Sequence, residues 1–478
     1  MAIVNRTALL ARREVKRAIA KVRRTLRSVL SGESFGEREV EALTISGEAV
    51  RELLREELQA IANSFGEEVL VNGVRYHLHE PGSDTYHGLC GPLEIKRPTH
   101  REVGVHNGRI VVAVELAAGL VEGATPALAY SVAHGYAQHD MRAHKENLEV
   151  AHRVPPSRTT LERIATRLGA AAVDGAAKIE PAVRRAERVP EGTVAVSIGL
   201  DRTSVPMMED RPADAPPKPE RKRLRPRQRR APAPFDVNWR MGYVGTMSFV
   251  DALGESLRTV RYAAAACDDP RELVVKMTAD VRSALKRQPD LHVGIVQDGA
   301  HEMWNRTREG LETLRGEGLL QRWEEGIDRY HLLERIADAM AIVEPDAEAR
   351  KRKLDEWRDG FDIQDSTIDK VEYFLRSRYL LAPEDKRAAL WDHLRFIRNN
   401  KDRMRYVTLR LAGLPVGSGV TESTCKTVFG HRTKRSGQRW RVPTLRGVVT
   451  LRALLQSERL PNFWQRLSLR YAANVEAA

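Results

Sequence analysis

The stretch from Leu291 to Asn305, LHVGIVQDGAHEMWN, decides how the chain is read. Val293, Ile295 and Val296 form a short apolar, β-branched run, the pattern of a buried strand. The run stops at Asp298-Gly299, and a helical pattern follows. An acid beside glycine at the carboxyl end of a central strand stands where open α/β sheets place their ligands. Asp-Gly is also an ordinary turn dipeptide, so by itself Asp298 reads first as a solvated turn residue. The surroundings change that balance.

Upstream, the pattern from Thr193 to Leu200 reads as a strand that ends in Asp201. WRMGYVGTMSFVD, from Trp239, and SLRTVRYAAAA, from Ser256, read as two more strands, separated by a turn at Leu253-Gly254-Glu255. Leu273, Val274, Met277, Val281 and Leu285 recur at helical spacing between Pro270 and Arg287. The order is therefore strand, strand, strand, helix, strand, helix. Two of the strands end in aspartate.

Downstream, Ile327 to Ile336 (IDRYHLLERI) reads as a second strand-to-helix junction. Residues 337 to 412 are helical throughout, with Val371, Phe374, Leu375, Leu390, Leu394, Phe396 and Ile397 supplying the apolar faces. A Gly-rich turn then leads into a helix that carries Glu422. Gly417-Ser418-Gly419 before it allows close backbone approach, and a helix N-terminus favours phosphate.

The 478 residues are enough for two to four domains. The net charge of +13 and isoelectric point near 9.7 favour a polyanionic partner, of which nucleic acid is the commonest. The basic residues cluster near both ends and in one central segment. No run of eighteen apolar residues is present, so no membrane span is expected. The beginning of the chain is polar and basic by residue six and lacks the pattern of a signal peptide. Three widely spaced cysteines, Cys90, Cys267 and Cys425, imply no disulfide framework, and a reducing cytoplasm is the expected compartment.

Residues 1–66 read as a basic helical region, with Arg13, Lys16, Arg17, Arg23, Arg24 and Arg27 set around Val15, Ile19, Val22 and Leu26. Such a helix either lies along a phosphate backbone or packs by its apolar stripe with a solvated basic face. Residues 67–109 read as a small β element, because Asn72-Gly73 between VLV and VRYHLH suits a primed hairpin turn. His77, His79, His87 and Cys90 lie close together there, but they lack paired C-x-x-C spacing, so zinc is not expected. Residues 110–188 read as a helical, helix-turn-helix-like module. In Pro155–Gly169, Thr159 and Glu162 have capping-box spacing, and Leu161, Ile164, Ala165 and Leu168 make an apolar face. Arg158, Arg163 and Arg167 occupy the remainder as candidate DNA contacts, although short amphipathic helices are common.

Residues 206–234 are dense in Pro, Arg and Lys and cannot bury a core. They read either as a solvated linker or as a phosphate-gripping arm, with Arg221, Lys222 and Arg223 as contacts. After Glu422, His431, Arg432, Lys434, Arg435 and Arg439 form a second basic stripe aimed at DNA phosphates or a flanking base. Trp440 reads either as a stacking partner for a base or as a core tryptophan. The expected architecture is an α/β core in two parts, 189–335 and 413–478, interrupted by an all-helical insertion at 336–412. A mainly helical N-terminal DNA-binding region with a small β element precedes it.

Asp201, Asp298 and Glu422 are three acids at comparable strand and helix ends. Carboxylates are hard ligands suited to magnesium or manganese, and three that converge suit two-ion phosphoryl chemistry. In these blocks the sequence resembles the DDE transposases of bacterial insertion sequences, and most of all the ISKra-type family. The matching stretches are IGLDRTSVP, VGIVQDGAHEMWN, DRYHLLE, NNKDRMRY, GLPVGSGVTES and HRTKRSGQRW, within 190 to 460. The resemblance implies a ribonuclease-H-like core and catalysis of DNA cleavage and strand transfer. It also implies Asp201, Asp298 and Glu422 as ligands of two Mg²⁺ or Mn²⁺ ions. Asp328 and His331 match an acid-x-x-His element of related DDE groups, implying support of the site rather than metal ligation. The implied partners are double-stranded DNA, as terminal inverted repeats and target, and further copies of the chain in a dimer or larger assembly. Two departures stand out. Family members often carry a cysteine-paired zinc element before the core, where this chain has only Cys90, and the Pro/Arg insert is long. The first puts metal binding near Cys90 in doubt, and the second leaves open a domesticated or inactive copy that binds specific DNA without cutting it.

Overall fold

The computed structural model describes residues 13–212, 235–298 and 301–477. The chain divides into two units, Met1–Arg167 with Arg466–Ala478 and Leu168–Gln465. Among the described residues no helix is long and apolar enough to cross a membrane. All three cysteines are free.

In the first unit, helices α1 (Arg13–Val29) and α2 (Phe35–Asn63) come first. Ser34 and Glu37 close a capping box on α2, satisfying two orphan donors at once. Six strands follow: β1 (Glu68–Val71), β2 (Val74–Glu80), β3 (Ser83–Gly88), β4 (Gly91–Lys96), β5 (Thr99–Glu102) and β6 (Ile110–Val111). The β1–β2 hairpin turns at Asn72 and Gly73, both with positive φ (49° and 82°), as a primed turn requires. The sequence division groups 413–478 together, but its last strand, Val475–Ala477, pairs antiparallel with β1. His77, His79, His87 and Cys90 do not gather as a ligand set: His79 meets Arg101, and His77 faces Glu68.

Helices α3 (Ala113–Ala118), α4 (Pro126–Gln138), α5 (Met141–Val150) and α6 (Arg158–Ala186) complete the helical module. The expected cap at Thr159 is displaced by two residues. Ser157 Oγ accepts from the Thr160 N–H, so α6 starts at Arg158. Leu161, Ile164, Ala165 and Leu168 are all fully buried, as the apolar face requires.

The second unit is built on a five-stranded mixed sheet. Its strands are β7 (Ala195–Asp210), β8 (Phe235–Val250), β9 (Ser256–Ala264), β10 (His292–Gln297) and β11 (Glu324–Ile327), in the order β11–β10–β7–β8–β9. β7, β8 and β9 are antiparallel neighbours, whereas β10 is parallel to both β7 and β11. Helices α7 (Pro270–Arg287) and α8 (His301–Gly316) flank β10 in sequence. Leu273, Met277, Val281 and Leu285 of α7 are buried in the same core as Ile198, Ile295, Met303 and Trp304.

One expectation is corrected here. Asp201 does not end its strand; β7 runs on to Asp210, paired residue for residue with β8 as far as Asp210↔Phe235. Pro206 hid this from the pattern. Proline lacks the N–H that a central strand needs, but here the Pro206 carbonyl accepts from the Trp440 N–H (3.0 Å). The expected insert at 206–234 therefore loses its first residues to the strand. Arg221, Lys222 and Arg223 lie outside the described residues.

Residues 329 to 411 carry five helices, α9 (Arg329–Val343), α10 (Ala347–Ile363), α11 (Thr367–Ser377), α12 (Arg387–Asn400) and α13 (Tyr406–Leu411). Val371, Leu375, Leu390, Leu394 and Ile397 are buried, as their periodicity implies. The short α14 (Gly419–Thr424) leads through a π-helical turn, Cys425–Gly430, into α15 (His431–Thr433), and α16 (Val442–Gln456) follows.

Candidate acidic site

The sheet register brings the acids together. Ile198 on β7 pairs with Ile295 on β10, and Asp201 and Asp298 each lie three residues beyond that pair. Gln297 on β10 pairs with Ile327 on β11, and Asp298 and Asp328 each follow by one residue. Three aspartates therefore stand at one level of three adjacent parallel strands, whose axes are roughly 4.8 Å apart. Small residues permit the approach of Glu422. A Cβ on Gly199 would lie 2.5 Å from Thr421 Oγ1, so only glycine lets α14 come this close to β7. Thr421 Oγ1 also meets Thr246 Oγ1 of β8 at 2.7 Å in a buried hydroxyl pair.

Asp201, Asp298 and Glu422 line one cavity of about 320 Å³, together with Arg202, Thr203, His331, Ser418, Cys425, Lys426 and Lys434. A larger cavity of about 500 Å³, beside Cys267 and Arg446, gathers none of the three acids. Burial pushes the Asp201 carboxyl above its ordinary range, and the charges of Asp298 and Glu422 push the same way. Hydrogen bonds from the Cys425 thiol and the Arg202 N–H (2.7 Å) oppose them. The Cys425 thiol is held well above its own range, by burial first and then by the Asp201 charge. It is a hydrogen-bond donor there, not a thiolate.

Asp328 lies beside the cavity, and its residue is only 2% exposed. It caps α9 through the His331 N–H (3.0 Å) and accepts from both the N–H (2.5 Å) and Oγ (2.8 Å) of Ser418. Burial works against its ionisation, but these hydrogen bonds prevail and hold the carboxyl below the usual range. Ser418 Oγ also lies 3.3 Å from Glu422 Oε1. The Ser418 N–H is thus committed to Asp328, and the phosphate role read into the glycine turn does not extend to it.

The other sequence candidates divide by exposure. His431, Lys434, Arg435 and Arg439 are exposed. Lys434 Nζ reaches Thr203 Oγ1 (2.5 Å) at the cavity edge, Arg435 turns back to the His431 carbonyl, and Arg439 sits over the Phe235 ring. Arg432 and Trp440 are buried, at 2% and 7% exposure, with the guanidinium 5.0 Å from the indole centroid. The indole N–H donates to the Thr433 carbonyl (3.0 Å), so Trp440 is a core residue that offers no face to a base. Arg158, Arg163 and Arg167 are exposed on α6; Arg158 pairs with Glu162 and Arg167 with Glu122.

The sequence reading missed Arg202, Thr203, Cys425 and Lys426. Cys425 and Lys426 follow Glu422 by three and four residues, the spacing that shares a helix face, so a signal was present. The reach of Arg202 and Thr203 depended on β7 continuing past Asp201.

No protein-family model matches the sequence, and no curated protein matches it. Among solved structures the chain is similar to one described as "Drosophila P element transposase strand transfer complex". The identity is 13%, with 72% of this chain and 83% of that chain covered, at a TM-score of 0.24. At that score the likeness carries no argument about fold or function.

Proposed function

We propose that the chain is a DDE transposase, a metal-dependent polynucleotidyl transferase that cuts DNA at the ends of its element and joins the 3′-ends to a target. The reading takes the sheet of Leu168–Gln465 as a ribonuclease-H-like core and the five helices α9 to α13, between β11 and Glu422, as its insertion. The observation that carries it is the convergence of Asp201, Asp298 and Glu422 on one cavity rimmed by Arg202, Lys426 and Lys434.

The donor set fits hard divalent cations: three carboxylates face one space, and the Asp201 carboxyl is raised by burial and by its two neighbours' charges. Asp201, Asp298 and Glu422 would hold Mg²⁺ or Mn²⁺, which when bound would supply Lewis-acid stabilisation of the oxygens that enter and leave phosphorus. The remaining roles belong to the chain. The Cys425 thiol orients the Asp201 carboxylate by donating to it. Thr421, seated on Gly199 and Thr246, fixes the height of α14 over the sheet. Lys426 and Lys434 attract and place the phosphodiester, and the exposed arginines of α6 are separate candidate contacts to duplex DNA.

The test is Mg²⁺- or Mn²⁺-dependent cleavage of DNA carrying the ends of the protein's own element. Wild type nicks and joins it, whereas Asp298→Ala binds it without cutting. Equal cleavage by the two proteins overturns the proposal. Salt-sensitive, sequence-specific binding with no nicking under any divalent ion favours a DNA-binding relic instead.

A further inference from the structure

His331 occupies an unusual position beside the acidic site. Its Nδ1 lies 3.3 Å from Asp328 Oδ1 and 3.6 Å from Glu422 Oε1. That nitrogen is buried, and neither contact has the geometry of a hydrogen bond. The remainder of the side chain is 42% exposed, so the buried edge of the ring is the one turned towards the two carboxylates. An imidazole without a proton on Nδ1 would set that nitrogen's lone pair against two anions. A protonated one would aim its N–H where neither oxygen accepts it well. A cation between the three groups resolves both difficulties.

We propose that Asp328, His331 and Glu422 form a cation site of their own, which shares Glu422 with the Asp201–Asp298 centre. Their donor atoms all lie within 4.8 Å of one another. Two oxygens and one imidazole nitrogen suit borderline Zn²⁺, and also Mn²⁺, which accepts imidazole more readily than Mg²⁺ does. The nitrogen–oxygen spacings of 3.3 and 3.6 Å match the edges of a coordination shell with metal–ligand bonds of about 2.0–2.2 Å. A support shell is in place, since Ser418 N–H and Oγ fix one Asp328 oxygen and the His331 N–H fixes the other. His331 and Glu422 both line the cavity, so the open side of the site faces the space where DNA is proposed to lie. The sequence resemblance casts Asp328 and His331 as supports; this geometry makes them ligands.

The sharing rests on Glu422 also serving the acidic centre, and the test separates the two ideas. Full-length protein is loaded with Mn²⁺, and the bound ion is examined by pulsed electron paramagnetic resonance for coupling to ¹⁴N. The expected result is a directly bound imidazole signal that disappears in His331→Gln and persists in Asp298→Asn, with each variant losing about one bound ion. Bound Mn²⁺ with no His331-dependent nitrogen coupling overturns this site and leaves the acidic centre standing. An unchanged ion count in Asp298→Asn with the nitrogen signal present overturns the acidic centre and leaves this site standing. His331 is 42% exposed and glutamine is uncharged, so the variant is expected to fold, which circular dichroism checks. Were it to unfold, Asp328→Asn serves in its place, with loss of the nitrogen-coupled ion as the expected result and its retention as the contrary one.

Discussion

Asp201 and Asp298 stand at the same level of neighbouring parallel strands, each three residues past the paired Ile198 and Ile295. Two carboxylates so placed repel one another, and burial makes the repulsion worse. The Asp201 carboxyl is raised by burial first, and the charges of Asp298 and Glu422 add to it. A pair arranged against its own stability is what a cation site requires.

The first prediction follows. Asp201 has a folded value above its unfolded one, so the metal-free protein loses stability as pH rises from the unfolded value near 3.8 through the raised folded value. Asp201→Asn removes that penalty. In chelator-treated protein at neutral pH, the variant should melt at the same temperature as wild type or higher. Its DNA cleavage should fall by about 10²–10³-fold or more, the loss typical of removing a charge-stabilising group. Melting well below wild type would show Asp201 to be structural.

The second concerns Gly199. A methyl group there meets Thr421 Oγ1 at 2.5 Å and the Val296 carbonyl at 2.7 Å. Gly199→Ala should lift α14 and carry Glu422 off the site, at a cost of about 1–3 kcal/mol for overpacking. Cleavage should vanish while DNA binding and the circular-dichroism spectrum persist. Thr421→Ser in the same background removes a methyl group but keeps the hydroxyl that clashes, so it should restore little. Thr421→Gly should restore more.

These variants also show where the sequence was legible. The strand at Val293–Val296 announces itself as a short apolar run buried on both faces, and the helix at Pro270–Arg287 by the period that burial on one face imposes. Asp298 is marked by its junction, as is Asp328. The depth of Gly199 and Thr421 is not visible, because close approach between segments more than two hundred residues apart leaves no periodic trace. The continuation of β7 was masked by Pro206, whose lost donor matters less where its carbonyl pairs with Trp440. Arg432 reads as part of a basic DNA stripe, and Trp440 stays open between base stacking and the core, for the converse reason. Composition counts charges and cannot say which guanidinium stacks inward on an indole.

A third prediction tests the buried ionic cluster that ties α6, α7 and the segment after α16 together within the second unit. Asp280 is 3% exposed and is held by Arg459 (2.8 and 3.0 Å), Arg184 (2.8 Å) and the Tyr262 hydroxyl (2.6 Å). Burial opposes its ionisation, but the arginines prevail and its carboxyl lies below the ordinary value. The sign is that of a depressed acid: the stabilisation is present above the unfolded value near 3.8 and is lost as pH falls through the folded one. Arg459→Ala leaves Asp280 and Glu187 short of their main partner and should cost about 3–5 kcal/mol in urea unfolding at pH 7. Arg459→Ala together with Asp280→Ala should recover part of that loss, since the buried charge is gone.

The last prediction separates the basic residues that face DNA from those that merely look as if they do. Lys426 and Lys434 line the acidic cavity and are exposed, whereas Arg432 is 2% exposed and stacks on Trp440. Each lysine that neutralises a phosphate releases condensed counterions on binding, which sets the salt dependence of affinity. Lys426→Ala should therefore weaken binding to all DNA sequences alike and reduce the slope of log affinity against log salt by about one unit, with no change in melting temperature. Arg432→Ala should behave oppositely. It empties a packed position beside the indole and lowers the melting temperature, while the salt slope of the folded fraction stays at the wild-type value. Should Arg432→Ala flatten the salt slope while Lys426→Ala leaves it unchanged, DNA would approach from the Trp440 side, and the acidic cavity would lose its claim to the phosphodiester.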